Sequence, residues 1–345
     1  MEGDVSASYV AVHRNARAEA NATLGKGWRP LVLEPSPVED TDETYMAEDP
    51  MAPSEGEGLV VVPLAKAHTD LTITWNELVQ ENSDLRQFAS ERWLGAWARL
   101  KDLPETYATT RHALHLVGAY LVSPMRRVAT GKIGLRHCLE GFGTPFFLDP
   151  GREGKKLAQL RVELDQLVWQ RGDEVSGIPL TTIADASLFL GMTPDITWAS
   201  TLDIPELPDI NMPLVIDVEA ASSLAALYGF AFSVLEELRA DPKTVEPTRP
   251  QLWPEYFDVS LEAGTQVGQD KASFGVSPGD KTGYGGEPYL YIMPWYPLDL
   301  SDPFWNSSTF PGAVLTYDQL LASADQRQVA IDFFARGREL LSEHG

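Results

Sequence analysis

The chain has 345 residues, 43% of them hydrophobic, which is enough apolar material for one large domain or two smaller ones. Its formal net charge is −23 at pH 7, and the acidic excess lies in residues 1–60 and 173–345. Such a field repels phosphate backbones, so nucleic acid is not expected as a partner. Basic residues outnumber acidic ones in residues 101–172, where they could dock the acidic remainder or bind an acidic ligand.

The compartment follows from what the sequence lacks. A single cysteine, Cys138, excludes an internal disulfide framework. The start Met-Glu-Gly-Asp has neither the basic nor the apolar region of a signal peptide, and no apolar run approaches the roughly 18 to 20 residues of a membrane span. We therefore expect a cytoplasmic protein with no membrane partner. No cofactor fingerprint occurs, so no cofactor is expected.

An acidic segment precedes the folded part of the chain. Residues 36–57 contain eight carboxylates and no basic residue, so they cannot bury enough apolar surface to offset their ordering entropy. This predicts a largely disordered tail over residues 1–58, either solvated or used as a partner-binding arm. A single domain follows over residues 59–345, with a possible sub-division into 59–240 and 251–345.

Helices dominate the next part of the chain. Thr74-Trp75-Asn76-Glu77 is a capping-box pattern that predicts a helix up to Leu100. A second helix is predicted from Pro104 and should end before Pro124. Beyond Arg127 apolar and polar residues alternate, which predicts strands over residues 133–139, 160–164 and 175–180.

The remaining elements alternate again between helices and strands. Helices are predicted over residues 182–190 and 217–238, and Ser323-Ala324-Asp325-Gln326 predicts a capping box before a terminal helix. Strands are predicted over 257–262 and 289–295. The order indicates an α+β fold with antiparallel sheets packed with helices, an N-terminal helical section and a C-terminal helix.

The C-terminal third carries a block of aromatic and acidic residues. One face of a predicted strand holds Tyr289, Tyr291, Met293 and Trp295. Alternation turns Asp258 toward its cross-strand neighbours. Such a surface suits a cationic or polyhydroxylated ligand, unless the aromatics pack under the terminal helix at Phe333 and Phe334. The candidate ligand-binding residues are Trp253, Glu255, Asp258, Asp280, Glu287, Tyr289, Tyr291 and Trp295.

The carboxylates of this block allow further interpretations. Two that converge could divide acid and base roles or hold a hard cation such as calcium. Singly, they serve as turn caps and as polar groups on strand faces, and the glycine and proline neighbours of Asp280 and Glu287 favour that role.

Three histidines form an alternative candidate site. His112 and His115 lie three residues apart on a predicted helix, a spacing that can share a metal, and His137 with Glu140 could complete the set. No H-E-x-x-H motif and no cysteine pair accompanies them, so hydrogen-bonded core histidines are the competing interpretation.

One serine matches a nucleophile motif. Gly275-Val276-Ser277-Pro278-Gly279 has the spacing of a nucleophile elbow, but the glycine-rich residues after it do not favour a helix. The only later histidine is His344. We predict a turn centred on Pro278 and Gly279, with Ser277 not acting as a nucleophile.

Several segments together resemble a known group of proteins. They are Thr110–His115, Ala129–Arg136, Leu180–Thr182, Trp253–Asp258, Ser277–Asp280 and Glu287–Tyr291. Over about residues 104–341 the chain resembles an uncharacterised group of actinobacterial hypothetical proteins and, more distantly, a bacterial domain of unknown function. Members often have histidine at the position of Tyr256. The resemblance implies that the block is a family feature and that the protein is bacterial, and it implies no activity.

The sequence thus favours a non-catalytic binding protein, with a small molecule or a protein as the unknown partner of the aromatic and carboxylate surface. The alternative is a metal-dependent hydrolase that uses His112, His115 and His137.

Overall fold

The structure is a computed structural model with an α+β fold, in which two antiparallel sheets pack with helices. It describes residues 28–33, 60–63, 98–138, 140–145, 147–148, 157–171, 174–266, 269–280, 286–297, 299 and 301–343. The predicted tail over residues 1–58, apart from residues 28–33, and nearly all of the predicted helix from Thr74 to Leu100 lie outside these residues.

The helices follow one another in chain order. They are α1 (Tyr107–Val117), α2 (Ser123–Thr130), α3 (Ile183–Leu190), α4 (Ile196–Ala199), α5 (Val218–Ala240), α6 (Tyr317–Ala322) and α7 (Gln326–Glu343). A π-helical turn, Gly118–Val122, joins α1 directly to α2. Side-chain caps set two of the starts, since Thr182 accepts from the Asp185 N–H at 2.9 Å and Asp217 accepts from the Ala220 N–H at 2.9 Å.

The strands fall into three sheets. The first strands are β1 (Trp28–Leu33), β2 (Val60–Pro63), β3 (Arg136–Cys138), β4 (Gly141–Gly143), β5 (Phe147–Leu148), β6 (Leu157–Glu163), β7 (Gln166–Arg171) and β8 (Glu174–Pro179). The later ones are β9 (Gln251–Leu252), β10 (Val259–Gln266), β11 (Gln269–Ser277), β12 (Tyr289–Pro294) and β13 (Ala313–Thr316).

Two of these sheets form the body of the fold. The cleft sheet has the order β13-β12-β11-β10-β9, and the second sheet has the order β3-β4-β6-β7-β8 with β5 paired to β6. A bridge between Leu135 and Leu252 connects the two sheets. Strands β1 and β2 pair with each other in an antiparallel register.

Helix α5 is the central element of the core. It contacts β3 and β4 of the second sheet, β10 and β11 of the cleft sheet, and helices α1 and α7. Among the described residues it is the one helix that is long and apolar enough to cross a membrane, although the sequence alone predicts no such span. Because 72% of its apolar window is buried in the protein, as in the core helix of a soluble protein, this is weak evidence for a membrane span.

Two predicted helix boundaries are wrong. The helix does not end before Pro124, because the π-helical turn places this proline in the first turn of α2, where no intrahelical N–H is needed. The capping box expected at Ser323 does not form, because the Gln326 side chain instead binds the Leu100 backbone N–H at 2.8 Å and its C=O at 3.0 Å. Asp325 accepts from the Gln328 N–H at 3.0 Å instead.

Candidate functional site

The cleft sheet has one apolar and one polar face. On β10, Val259 and Leu261 are buried in the core, and the alternate residues Ser260 and Glu262 point to the other side. The pairing register carries the same division across β11 and β12. One face therefore packs on α5 and α7, and the other forms the floor of a cleft.

The cleft has a volume of about 790 Å³, within the range of small-molecule sites. Its lining is formed by Trp253, Glu255, Tyr256, Asp258, Ser260, Glu262, Ser273, Ser277, Asp280, Tyr289, Tyr291, Met293, Trp295, Thr309 and Phe310. Seven of the eight candidate ligand-binding residues are in this set, and the eighth, Glu287, is exposed outside it. We call Glu255, Asp258, Glu262 and Asp280 the cleft carboxylates. We call Trp253, Tyr256, Tyr289, Tyr291, Trp295 and Phe310 the aromatic wall.

A strained turn places the first two cleft carboxylates. The backbone N–H of Trp253 donates to the carbonyl of Asp258 at 2.8 Å, which closes the segment between them. Phe257 has a φ of 56°, unusual for a bulky residue, and its buried ring anchors the turn in the core. Tyr228 donates its hydroxyl to the Phe257 carbonyl at 2.9 Å.

His115 supports this turn rather than a metal. Its ring stacks on Phe257 with centroids 4.7 Å apart, and its Nε2 is 2.7 Å from the Pro254 carbonyl oxygen, so Nε2 carries the proton and donates. Burial lowers the pKa of His115 to about 4, which keeps the ring neutral.

The other two histidines lie in different surroundings. His112 is exposed on α1. His137 packs near Phe232, with ring centroids 6.4 Å apart, and burial lowers its pKa to about 4. Over the described part of the chain, no three histidine, cysteine or carboxylate side chains form a metal-binding group. The structure therefore does not assemble the predicted cluster of His112, His115 and His137.

Asp258 lies at the base of the cleft beneath the aromatic wall. The ring of Tyr291 crosses β11 above Gly275, where an added Cβ would collide with it, and the Tyr291 hydroxyl donates to Asp258 Oδ2. Asp258 is only 4% exposed. Burial raises its pKa to about 7, against the opposing effect of the Tyr291 hydrogen bond, and the charges of Glu255 and Asp280 raise it further.

Two more cleft carboxylates have buried oxygens without partners. Glu262 is 7% exposed, and its Oε2 has no hydrogen-bond partner among the described residues. Burial raises the pKa of Glu262 to about 7, opposed by the charge of Lys271. Glu255 Oε2 is likewise buried without a described partner, and burial raises the Glu255 pKa. Oxygens of this kind can accept hydrogen bonds from a ligand.

The remaining side of the cleft is formed by the turn after β11. Arg111 donates through Nη1 to the carbonyls of Pro278 at 3.0 Å and Gly286 at 2.9 Å, which fixes both ends of this segment. Gly279 has a φ of 92°, and a Cβ there would collide with the Gly286 carbonyl oxygen. Tyr289 donates its hydroxyl to Asp280 Oδ2 at 3.2 Å.

Ser277 is a buried structural residue in this turn. Its Oγ accepts from the Gly279 N–H at 3.1 Å, an arrangement typical of turns. No histidine occurs among the described residues that line the cleft, so none of them provides the base that a serine nucleophile needs.

Sequence reasoning did not select several lining residues. Glu262 and Ser273 could have been found, because strand alternation places Glu262 on the face of Asp258 and pairing places Ser273 opposite it. Met293 follows from the same alternation on β12. Thr309 and Phe310 lie in the irregular segment before β13, where no periodicity marks their direction.

The chain matches no protein-family model, no curated protein and no solved structure.

Proposed function

We propose that the protein binds a small organic cation in the cleft, without catalysing a reaction on it. One observation carries this proposal: four carboxylates and six aromatic rings line a single cleft, and none of the described lining residues is basic. Aromatic faces attract cations through the ring quadrupole, and carboxylates supply the opposite charge.

A cation fits the hydrogen-bonding capacity of the cleft better than a sugar does. The buried oxygens of Glu255 and Glu262 are acceptors without described donors, and an ammonium group supplies donors together with charge. A polyhydroxylated ligand also needs strong donors for its own oxygens. The described lining offers only hydroxyl groups and the indole N–H groups for that purpose, and the Trp295 indole already donates to Ser273 Oγ at 2.8 Å.

The placement of the histidines and of Ser277 favours binding over hydrolysis. His115 holds the Pro254 carbonyl, His137 lies against Phe232, and Ser277 is a turn residue. The metal-dependent hydrolase, which relies on a cluster of three histidines, therefore has no support from these positions.

A thermal-shift titration tests the proposal with hexylammonium and its uncharged analogue hexanol. We expect hexylammonium to stabilise the protein, by about 2.7 kcal/mol at 100 times its Kd, and hexanol to have little effect. Asp258→Asn should remove the stabilisation. Glu287→Gln, which removes a carboxylate outside the cleft, should preserve it.

The same assay separates the proposed ligand from a metal ion. Equal stabilisation by hexanol, or an unchanged hexylammonium shift in Asp258→Asn, would show that the cleft does not recognise organic cations. Stabilisation by calcium chloride alone, with none by hexylammonium, would assign the carboxylates to a hard cation and would also contradict the proposal.

A further inference from the structure

Glu262 is a second buried carboxylate on the cleft floor, away from Asp258. We call Asp258 and Glu262 the two poles of the cleft. Glu262 lies on the same face of β10 as Asp258, is paired across the strands with Ser273, and is 7% exposed. Glu262 lines the cleft, and its buried Oε2 has no hydrogen-bond partner among the described residues. A buried carboxylate oxygen of this kind is costly unless a ligand satisfies it.

The two poles are separated by a defined length of strand. Asp258 and Glu262 are four residue steps apart, and a strand rises about 3.3 Å per residue, so their Cα atoms are roughly 13 Å apart. Asp258 has Glu255 beside it, which makes that end the more acidic one. One compact ammonium ion cannot contact both ends.

The surface between the poles is apolar with small hydroxyl groups. Tyr291 and Met293 follow β12 along the same direction, and Ser260 lies midway on β10. At the Glu262 end, the Trp295 indole N–H donates to Ser273, the cross-strand partner of Glu262, so an aromatic side chain lines this end of the cleft as well. An alkyl chain packs well on such a strip, with cationic groups at its two ends.

From this arrangement we infer that the ligand is a linear aliphatic diamine or polyamine, with one ammonium group at Asp258 and another at Glu262. The inference rests on the proposed function, because it specifies which organic cation the cleft takes. The positive charge of Lys271 acts on the Glu262 carboxylate, so the ligand competes with it there.

Isothermal titration with unbranched diamines of four, six, eight and ten carbons tests the inference, with the monoamine of each length as control. We expect the affinity of diamines to rise steeply with length, and the eight-carbon diamine to bind at least about tenfold more tightly than the eight-carbon monoamine. The four-carbon diamine is too short to reach both poles, so it should behave like a monoamine.

Two variants assign the second ammonium group. Glu262→Gln should reduce the advantage of the eight-carbon diamine to about twofold or less, with monoamine affinity preserved. Lys271→Gln removes the competing cation and should strengthen diamine binding by a few-fold without affecting monoamines. This second variant also provides a test if Glu262→Gln does not fold.

The outcomes separate this inference from the function on which it rests. If monoamines bind in an Asp258-dependent way and diamines of every length bind no better, the two-pole ligand is wrong and the organic-cation function stands. If neither class binds, both fail. An advantage of diamines that persists in Glu262→Gln would place the second ammonium elsewhere and would contradict the inference.

Discussion

The second sheet and the cleft sheet each bury a glutamate on a strand, but within the described residues only one of the two glutamates is paired with an arginine. In the second sheet, Glu163 is 6% exposed and accepts from Arg161 Nε at 2.6 Å. Arg161 also donates to Gln170 at 3.0 Å, so the charge lies in a network of polar side chains. In the cleft sheet, Glu262 is equally buried, and its Oε2 has no described partner.

The presence or absence of an ion-pair partner distinguishes a buried charge that stabilises the fold from one that does not. A buried ion pair with good geometry is tolerated because each charge compensates the other. A buried carboxylate without a partner destabilises the folded state. Burial also raises the pKa of that carboxylate, which favours its neutral, protonated form. Such a cost is typical of functional sites, where stability is given up for binding. The buried charge of the second sheet thus fits a stabilising role, and that of the cleft sheet fits the proposed ligand site.

The largest expected effect comes from breaking the compensated pair. Glu163→Gln leaves Arg161 buried without its counter-charge, so the free energy of unfolding should fall by about 3 to 5 kcal/mol. Urea denaturation at pH 8 measures it. The matched variant Glu262→Gln should be neutral or stabilising, because it removes an uncompensated charge. Equal losses in both variants would erase the contrast between the sheets.

Unlike Glu163→Gln, Asp258→Asn should raise the free energy of unfolding. The folded protein raises the Asp258 pKa from 3.8 to about 7, and each pKa unit corresponds to about 1.4 kcal/mol. The pKa of about 7 already includes the Tyr291 hydrogen bond, and part of the gain is offset because the amide brings buried N–H donors that need acceptors. We expect the variant to gain about 2 kcal/mol of unfolding free energy at pH 8, while losing cation binding. A loss of stability instead would show that Asp258 is a structural residue.

The pH dependence of that gain provides a separate check. Because folding raises the Asp258 pKa, the stability that Asp258 contributes to the wild-type protein is fully present below the pKa that Asp258 has in the unfolded chain. This contribution is lost as the pH rises to about 7. The advantage of Asp258→Asn should therefore reach its plateau above pH 7 and be lost as the pH falls toward 4. Glu255, Asp280 and Tyr291 face Asp258 and are present in both proteins.

The unfolding free energies of the wild type and Asp258→Asn must be compared at each pH, because other groups titrate as well. His115 and His137 have pKa values lowered to about 4, so they contribute stability that is lost as the pH falls below 6.5 toward 4. Their slope opposes that of Asp258 and cancels in the comparison. An advantage that is constant from pH 4 to pH 8 would argue against a titrating Asp258.

The smallest effect concerns the packing of the aromatic wall on the cleft floor. Gly275→Ala places a methyl group where the Tyr291 ring crosses β11, so the ring must shift away from Asp258. We expect a loss of about 1 kcal/mol in unfolding free energy and a weaker affinity for hexylammonium. Denaturation and calorimetry measure both quantities. Unchanged values would show that the Tyr291 position is not coupled to Asp258.

Strand periodicity is the part of the architecture that the sequence predicts well. Alternation around Asp258 and along residues 289–295 placed the aromatic residues and a carboxylate on one face, and the structure lines a cleft with them. The helices predicted over 182–190 and 217–238 also form, with Thr182 and Asp217 as caps, because a side-chain oxygen accepting from a nearby N–H is a local interaction.

Long-range placement is the part that the sequence could not provide. The spacing of His112 and His115 says nothing about the Phe257 ring that stacks on His115, or about the distance to His137. Pro124 predicts the end of a helix, yet the chain stays helical through the π-helical turn that directly precedes α2. Phe310 joins the cleft from an irregular segment with no periodic signal.

A cation is proposed to supply the missing partner of the buried cleft carboxylates, and one calorimetric experiment can test this. Hexylammonium and hexanol are titrated into the protein at pH 7, each in two buffers with different ionisation enthalpies. We predict saturable binding of hexylammonium with release of protons, because the ligand's charge lowers the pKa of Asp258 from about 7. Binding of hexanol with the same affinity, or binding of hexylammonium without proton release, would contradict it.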